Sequence, residues 1–261
     1  WTFPGVLQDD VFRSDPVVVA DADGTFFYYS MTDSNPRTCQ LFTSTDAGIT
    51  WIGPRPAYGG DKAWVTVDRT GGPGHGNLYF AWDYAGCCGD DWFTRARNAG
   101  VSVDSPVEIP LGPNFGTLTV DPNGRVLIAG RRFLSISIYA FARASDPASV
   151  TPVDFDYSCE LDLGGRMRVN DVAGPNPGGL SGQVWIDCDR SGGPHHGNIY
   201  VLCSVMPTTG DDALDVMFIR SLDDGLHWST PLRINADPKS FTVWQWFGTV
   251  SVASNGRIDV V

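Results

Sequence analysis

Short apolar stretches separated by polar, glycine-rich turns recur along the whole chain. Residues 62–80, KAWVTVDRTGGPGHGNLYF, and residues 183–201, QVWIDCDRSGGPHHGNIYV, share ten of 19 positions, among them Trp64/Trp185, Asp68/Asp189, Pro73/Pro194 and Asn77/Asn198. Each copy is an apolar strand, a Gly-Pro turn and a second apolar strand, which predicts a β-hairpin. A second pair, FGTLTVDPNGRVLI at 115–128 and FGTVSVASNGRIDV at 247–260, matches at seven of 14 positions. Its Asn-Gly dipeptides at 123–124 and 255–256 are hairpin signals, because both residues tolerate positive φ. Residues 16–29, PVVVADADGTFFYY, read as a third hairpin of this kind.

A different turn punctuates the segments between these hairpins. Ser44 to Trp51 reads S-T-D-A-G-I-T-W, and Ser221 to Trp228 reads S-L-D-D-G-L-H-W, with His227 at the Thr position. Ala96 to Val103 is a decayed copy that keeps Asn98, Gly100 and Ser102. Each is followed by a proline, Pro54, Pro231 or Pro106. The pattern is S-x-D-x-G-x-T-W, the Asp-box. Its carboxylate is suited to accept backbone N–H groups within the turn, its glycine to take positive φ, and its tryptophan to fold back as an apolar plug. Ser44, Asp46, Gly48, Trp51, Ser221, Asp223, Gly225 and Trp228 are therefore expected to be structural.

Inner hairpins beginning near 16, 63, 116, 184 and 248 alternate with outer hairpins. Four short antiparallel strands, A to D, in each unit of about 40–50 residues is the signature of a β-propeller. The expectation is one all-β domain, 1–261, of four-stranded antiparallel blades. The last hairpin stops at Val261 inside its blade, so about four and a half blades are expected, with the domain incomplete at its C-terminus. Two ways of completing it stay open. The chain is a piece of a six-bladed propeller, or Trp1 to Phe12 supplies an outer strand to a closed five-bladed one.

Composition narrows the function. Of 30 acidic residues only Glu108 and Glu160 are Glu, and the net charge is -12. Asp favours turns, consistent with 30 Gly and 18 Pro. An acidic surface argues against nucleic acid and anionic membranes as partners, and no apolar run approaches the roughly 18 residues of a membrane span. The start at Trp1, without Met or a signal-peptide pattern, reads as processed or trimmed. The six cysteines, Cys39, Cys87, Cys88, Cys159, Cys188 and Cys203, form no CxxC pair and favour disulfides in an oxidising compartment, hence a secreted, periplasmic or cell-surface protein. Strand positions predict Cys39 bonded to Cys87 or Cys88, and Cys159 to Cys188 or Cys203. No metal or cofactor is expected, because the histidines do not sit at ligand spacing from the cysteines.

Propeller topology sorts the polar loops. The A–B and C–D turns share one face, which receives the Asp-boxes and His75, His195 and His196 as turn residues. The B–C loops and blade links share the other. The links bring Arg13, Asp61, Lys62, Arg166, Arg168, Trp244 and Trp246 there. The B–C loops add Asp33, Arg37, Asp83, Tyr84, Asp90, Asp91, Arg131, Arg132, Asp211 and Asp212. Arginine holds an anion bidentately, carboxylates bond hydroxyls and aromatics stack on sugar rings, so this face suits a glycan or another polar ligand. The chosen binding residues are Arg13, Arg37, Asp61, Arg131, Arg132, Arg166 and Trp246.

The Asp-boxes, with the Asp15-Pro16 and Asp121-Pro122 strand openings, resemble the sialidase superfamily over nearly the whole chain. That resemblance implies a six-bladed propeller, an arginine triad for a substrate carboxylate, an acid/base Asp and a Tyr–Glu nucleophile. It places Arg13 at the first triad position, Asp33 at the acid/base and Glu160 at the Glu, with Arg166 or Arg168 as the second triad Arg. Around Arg13 the chain reads Phe-Arg-Ser-Asp-Pro where the family has Arg-Ile-Pro, and Asp33 precedes Arg37 in an order that is swapped. The first functional expectation is accordingly a sialidase-like propeller that binds a glycan or polar ligand. A glycoside hydrolase acting on terminal acidic sugars is the alternative. Substrate, linkage, oligomeric state and catalysis are not legible.

Overall fold

Strands form where the two-residue period and the turns place them. In a computed structural model, which describes residues 5–261, β1 (Arg13–Ala20), β2 (Phe26–Thr32), β3 (Cys39–Ser44) and β4 (Ile52–Pro56) pair in that order as one antiparallel sheet. The next sheet is β5 (Trp64–Val67), β6 (Leu78–Ala81), β7 (Phe93–Arg97) and β8 (Ser102–Val103). The third is β9 (Pro113–Val120), β10 (Val126–Arg132), β11 (Tyr139–Ala144) and β12 (Tyr157–Leu161). Each has the meander order of a propeller blade, and no helix occurs among the described residues. Of the Trp1–Phe12 stretch, residues 1–4 lie outside the described residues and residues 5–12 form no strand.

The fourth blade departs from the expected pattern. Its inner position is split between β13 (Gly165–Arg166) and β14 (Trp185–Cys188), which pair with opposite ends of β15 (Ile199–Pro207). β16 (Asp215–Ser221) and β17 (Leu232–Arg233) follow, and β18 (Val250–Val252) with β19 (Ile258–Val260) forms a final two-stranded sheet. Residues 167–184, rich in Gly, Pro and Asn, leave the sheet between β13 and β14. There Val169 bridges Leu180 antiparallel, so this segment doubles back on itself.

The chain divides into two compact units, Trp1–Ile109 with Asp146–Asp154, and Pro110–Ser145 with Phe155–Val261. In the first, Phe27, Tyr29, Leu41, Leu78, Phe80 and Phe93 are fully buried, and the Tyr29 and Phe80 rings lie 4.8 Å apart. The guanidinium of Arg95, 0 % exposed, donates to Asp104, to the carbonyls of Pro147, Ala148 and Val150, and to Thr151 Oγ1. Five donors in one fork thus fasten residues 146–154 into this unit. In the second unit the core runs through Leu127, Tyr139, Phe141, Leu163, Val184, Ile199, Val201 and Ile219. Each such side chain contributes about 1.5–3 kcal/mol on burial.

The turns at 44–51 and 221–228 are closed by their own side chains. Asp46 Oδ1 accepts the Thr50 N–H at 2.8 Å, and Asp223 Oδ1 the His227 N–H at 2.9 Å. Gly48 and Gly225 take φ of 84° and 87°. The Trp51 and Trp228 indoles donate back to the Gly48 and Gly225 carbonyls at 3.1 and 3.0 Å. The Asn-Gly turns differ from expectation. Only Gly124 and Gly256 are at positive φ, 79° and 82°, while Asn123 and Asn255 are not. At the first, Asp121 Oδ1 accepts the N–H groups of Asn123 and Arg125 at 2.9 Å, an Asx-type turn that removes the need for a second left-handed residue.

The cysteines also differ. The disulfide joins the neighbours Cys87 and Cys88, and Cys39, Cys159, Cys188 and Cys203 are thiols. The expected Cys39 bridge to that pair and the Cys159 bridge to Cys188 or Cys203 are absent for a geometric reason. Cys39 faces the Gly60 carbonyl, Cys159 the Gly225 carbonyl, Cys188 the Val120 carbonyl and Cys203 the Ser204 carbonyl, so each sulfur has its own core niche. Burial pushes the Cys39 and Cys188 thiols up to about 12.

Candidate ligand-binding site

In the second unit a cavity of about 350 Å³ opens beside the split inner strand. Three arginines, Arg131, Arg166 and Arg168, are among the residues that line it. Aliphatic surface comes from Ile136, Met167, Val169 and Val172, and polar surface from Asn170 and Asp171.

Local structure explains how the arginines arrive. Arg131 is at the end of β10, opposite Asn114 of β9, where the register shifts between Ala129 and Arg131. Gly116 makes this approach feasible, since a Cβ there would stand 1.9 Å from the Ala129 carbonyl oxygen. The irregular ladder sets the Arg131 guanidinium 4.5 Å from the Phe115 ring centroid. Successive side chains on a strand point to opposite faces. Arg132 therefore turns away and pairs with Glu160 at 3.2 Å. Arg166 ends β13, and the doubled-back segment delivers Arg168, whose carbonyl accepts the Ser181 N–H at 3.1 Å.

Electrostatics differ among the three. Arg168 pairs with Asp171 and lies with its guanidinium carbon 4.8 Å from the Trp244 ring. Burial, and then repulsion from Arg166, lower the Arg168 pKa from its ordinary value. Arg166 is exposed, with one Nη 3.3 Å from Met206 Sδ. Like charges gathered on one cavity favour an anion between them.

Trp246 belongs to the same unit. Its ring is 46 % exposed and stands edge-on to Phe247 at 5.7 Å. The Phe247 N–H donates to the Ser181 carbonyl at 3.1 Å, which ties the Trp246 segment to the doubled-back segment that carries Ser181 and, through it, to Arg168.

The remaining sequence-chosen residues fall elsewhere. Arg13, in the first unit, is taken up by Gln8, Gln40 and Ser30, with the Phe42 ring 4.6 Å away. Arg37 and Asp61 meet there at 3.6 Å. Lys62 bonds Asp61 at 2.8 Å and approaches Asp15 at 3.5 Å. Asp33 is an exposed residue of the β2–β3 loop. Glu160 is in the second unit, half-exposed and paired with Arg132, outside the cavity lining. The two residues chosen as catalytic thus belong to different units and are not assembled into a dyad by either. His75 and His196 hold turn carbonyls of Thr70 and Ser191, as turn residues do.

Asp171 is absent from the sequence reading, and Trp244 and Asp83, placed by it on the ligand face, are not among its chosen binding residues. Asp171 and Trp244 fix Arg168, and Asp83 stands out in the first unit. Asp83 is 2 % exposed, and burial pushes its carboxyl up to about 7; the negative charge of Asp61 adds to this and the Ala85 N–H opposes it. For Asp61 burial acts upward, but Lys62 and Arg37 hold it below the ordinary carboxylate value.

No protein-family model and no curated protein matches the sequence. Solved structures do match in fold. A Dyadobacter fermentans protein of unknown function aligns with a TM-score of 0.57 at 12% identity, over 97% of this chain and 75% of its own. A mutant of NanB sialidase from Streptococcus pneumoniae aligns with a TM-score of 0.58 at 9% identity, over 94% of this chain and 55% of its own. The antiparallel sheets are the blades of a β-propeller, the fold of the matching NanB structure. The chain spans only about half the length of the NanB structure that it resembles, 55% of it.

Proposed function

We propose that this propeller binds an acidic glycan at the cavity of the second unit. The convergence of Arg131, Arg166 and Arg168 on one cavity of about 350 Å³ carries the reading. The anionic group sits among the guanidinium groups, the aliphatic residues cover the apolar ring face, and exposed Trp246 offers a platform for a neighbouring ring. The sialidase-like fold agrees with a carbohydrate ligand but does not choose one. With Glu160 engaged by Arg132, binding is the stronger reading and hydrolysis the weaker. The Cys87–Cys88 disulfide supports an oxidising, extracytoplasmic setting.

Calorimetry with glucuronic acid, N-acetylneuraminic acid and neutral glucose tests the reading. The expected result is binding of a sugar acid and not of glucose, weakened about tenfold or more in Arg166→Gln, since a hydrogen bond to a charged group contributes about 1.5–3 kcal/mol. Arg257→Gln, which removes an exposed arginine paired with Asp259, leaves the affinity unchanged. Equal binding of glucose, or an Arg166→Gln protein that binds like wild type, rejects the site.

A further inference from the structure

Arg168 is bracketed on two sides. Asp171 pairs with its Nη2, and the Trp244 ring covers its guanidinium at 4.8 Å. Trp244 is itself held in place, by a parallel bridge to Leu214 and by close packing on Gly174, where an added Cβ would come within 3.2 Å of the ring. The backbone of Arg168 is fixed as well, through its bond from Ser181. All guanidinium donors lie in the guanidinium plane. A ring over the face therefore does not compete with the donors at the edge, of which one nitrogen bonds Asp171. Arg166 repels this charge and burial strips its water, whereas the negative face of an indole and the Asp171 carboxylate both favour it.

We propose that Trp244 is a positioning residue, which orients the Arg168 guanidinium towards the cavity, so that anion affinity depends on an aromatic ring at 244. The inference rests on the reading of the cavity as an anion site. Trp244 need not touch the ligand.

Two measurements on the whole chain test it. In nitrogen-15 spectra the Arg168 Nε–H resonance should be displaced upfield by the ring current of Trp244. Trp244→Leu should abolish that displacement and Trp244→Phe should keep part of it. An Arg168 signal that is undisplaced in wild type, or unaltered in Trp244→Leu, overturns the proposal without any ligand being present. The second measurement compares affinities for glucuronic acid and its methyl ester. Trp244→Leu should reduce the acid-to-ester ratio about tenfold, and Trp244→Phe should restore most of it. A ratio that is unchanged in a Trp244→Leu protein whose circular dichroism matches wild type overturns the proposal. Failure of wild type to bind either glucuronic acid or N-acetylneuraminic acid would sink the cavity reading instead, and the Arg168 resonance then decides the placement alone.

Discussion

At the scale of single residues, two classes of aspartate pull stability in opposite directions with pH. Asp46 and Asp223 accept hydrogen bonds inside their turns, from Thr50 and His227 first, and these lower their carboxyls to about 2. Their folded values are below the unfolded one, near 4, so their contribution is present above that pH and is lost as pH falls from about 4 to 2. Replacing either by Ala should lower the melting temperature at pH 7 and flatten the acid limb between pH 4 and 2. A folded Asp46→Ala protein of wild-type stability would contradict the structural role. Asp83 behaves inversely. Its folded value of about 7 exceeds the unfolded one, so the unfolded chain releases a proton that the folded chain keeps. Stability should therefore decline between about pH 4 and 7, by at most about 1.4 kcal/mol per pH unit, and level off above. Asp83→Asn should remove that component of the slope; urea titrations of both proteins across the window, showing identical slopes, would refute it.

At the scale of elements, buried Arg95 fastens residues 146–154 to strands β7 and β8. Arg95→Met should destabilise by about 3–5 kcal/mol, because Asp104 and three carbonyls lose their donor. Arg95→Lys should recover little of this, since an ammonium cannot reproduce the planar fork. Chemical denaturation that finds Arg95→Lys equal to wild type would contradict the assignment. These elements also show what the sequence can and cannot reveal. The hairpins at 64–81, 113–132 and 185–207 were legible because alternation and Gly-Pro or Asn-Gly turns are local signals. The split of β13 from β14 was not, because a two-residue strand has no period and its pairing with the end of β15 is non-local. Disulfide connectivity was misread for a related reason. Strand positions put Cys39 and the Cys87–Cys88 loop on one face but do not say which niche each sulfur enters.

At the scale of the whole molecule, blade topology makes Arg131, Arg166 and Arg168 legible in the sequence as residues of one face. It did not distinguish Arg131 from Arg132, whose opposite orientations follow from strand alternation at a shifted register. Nor did it separate Arg13, which packs on Phe42, from arginines that reach a cavity. Each compact unit gathers its own charged cluster, the arginine-lined cavity in one and the Asp61–Lys62–Arg37 network in the other. With a net charge of -12, the chain repels anions at long range, so the cavity must draw its ligand by local charge. Affinity should accordingly depend on short-range contacts more than on steering, and respond only modestly to salt. The central claim is that three arginines act on one anion. A titration of glucuronic acid into protein labelled at its arginine side chains tests this most directly. The Nε–H signals of Arg131, Arg166 and Arg168 should move together and saturate with a single dissociation constant, while those of Arg37 and Arg257 stay still. Shifts confined to Arg37, or three cavity arginines that titrate independently or not at all, would contradict it.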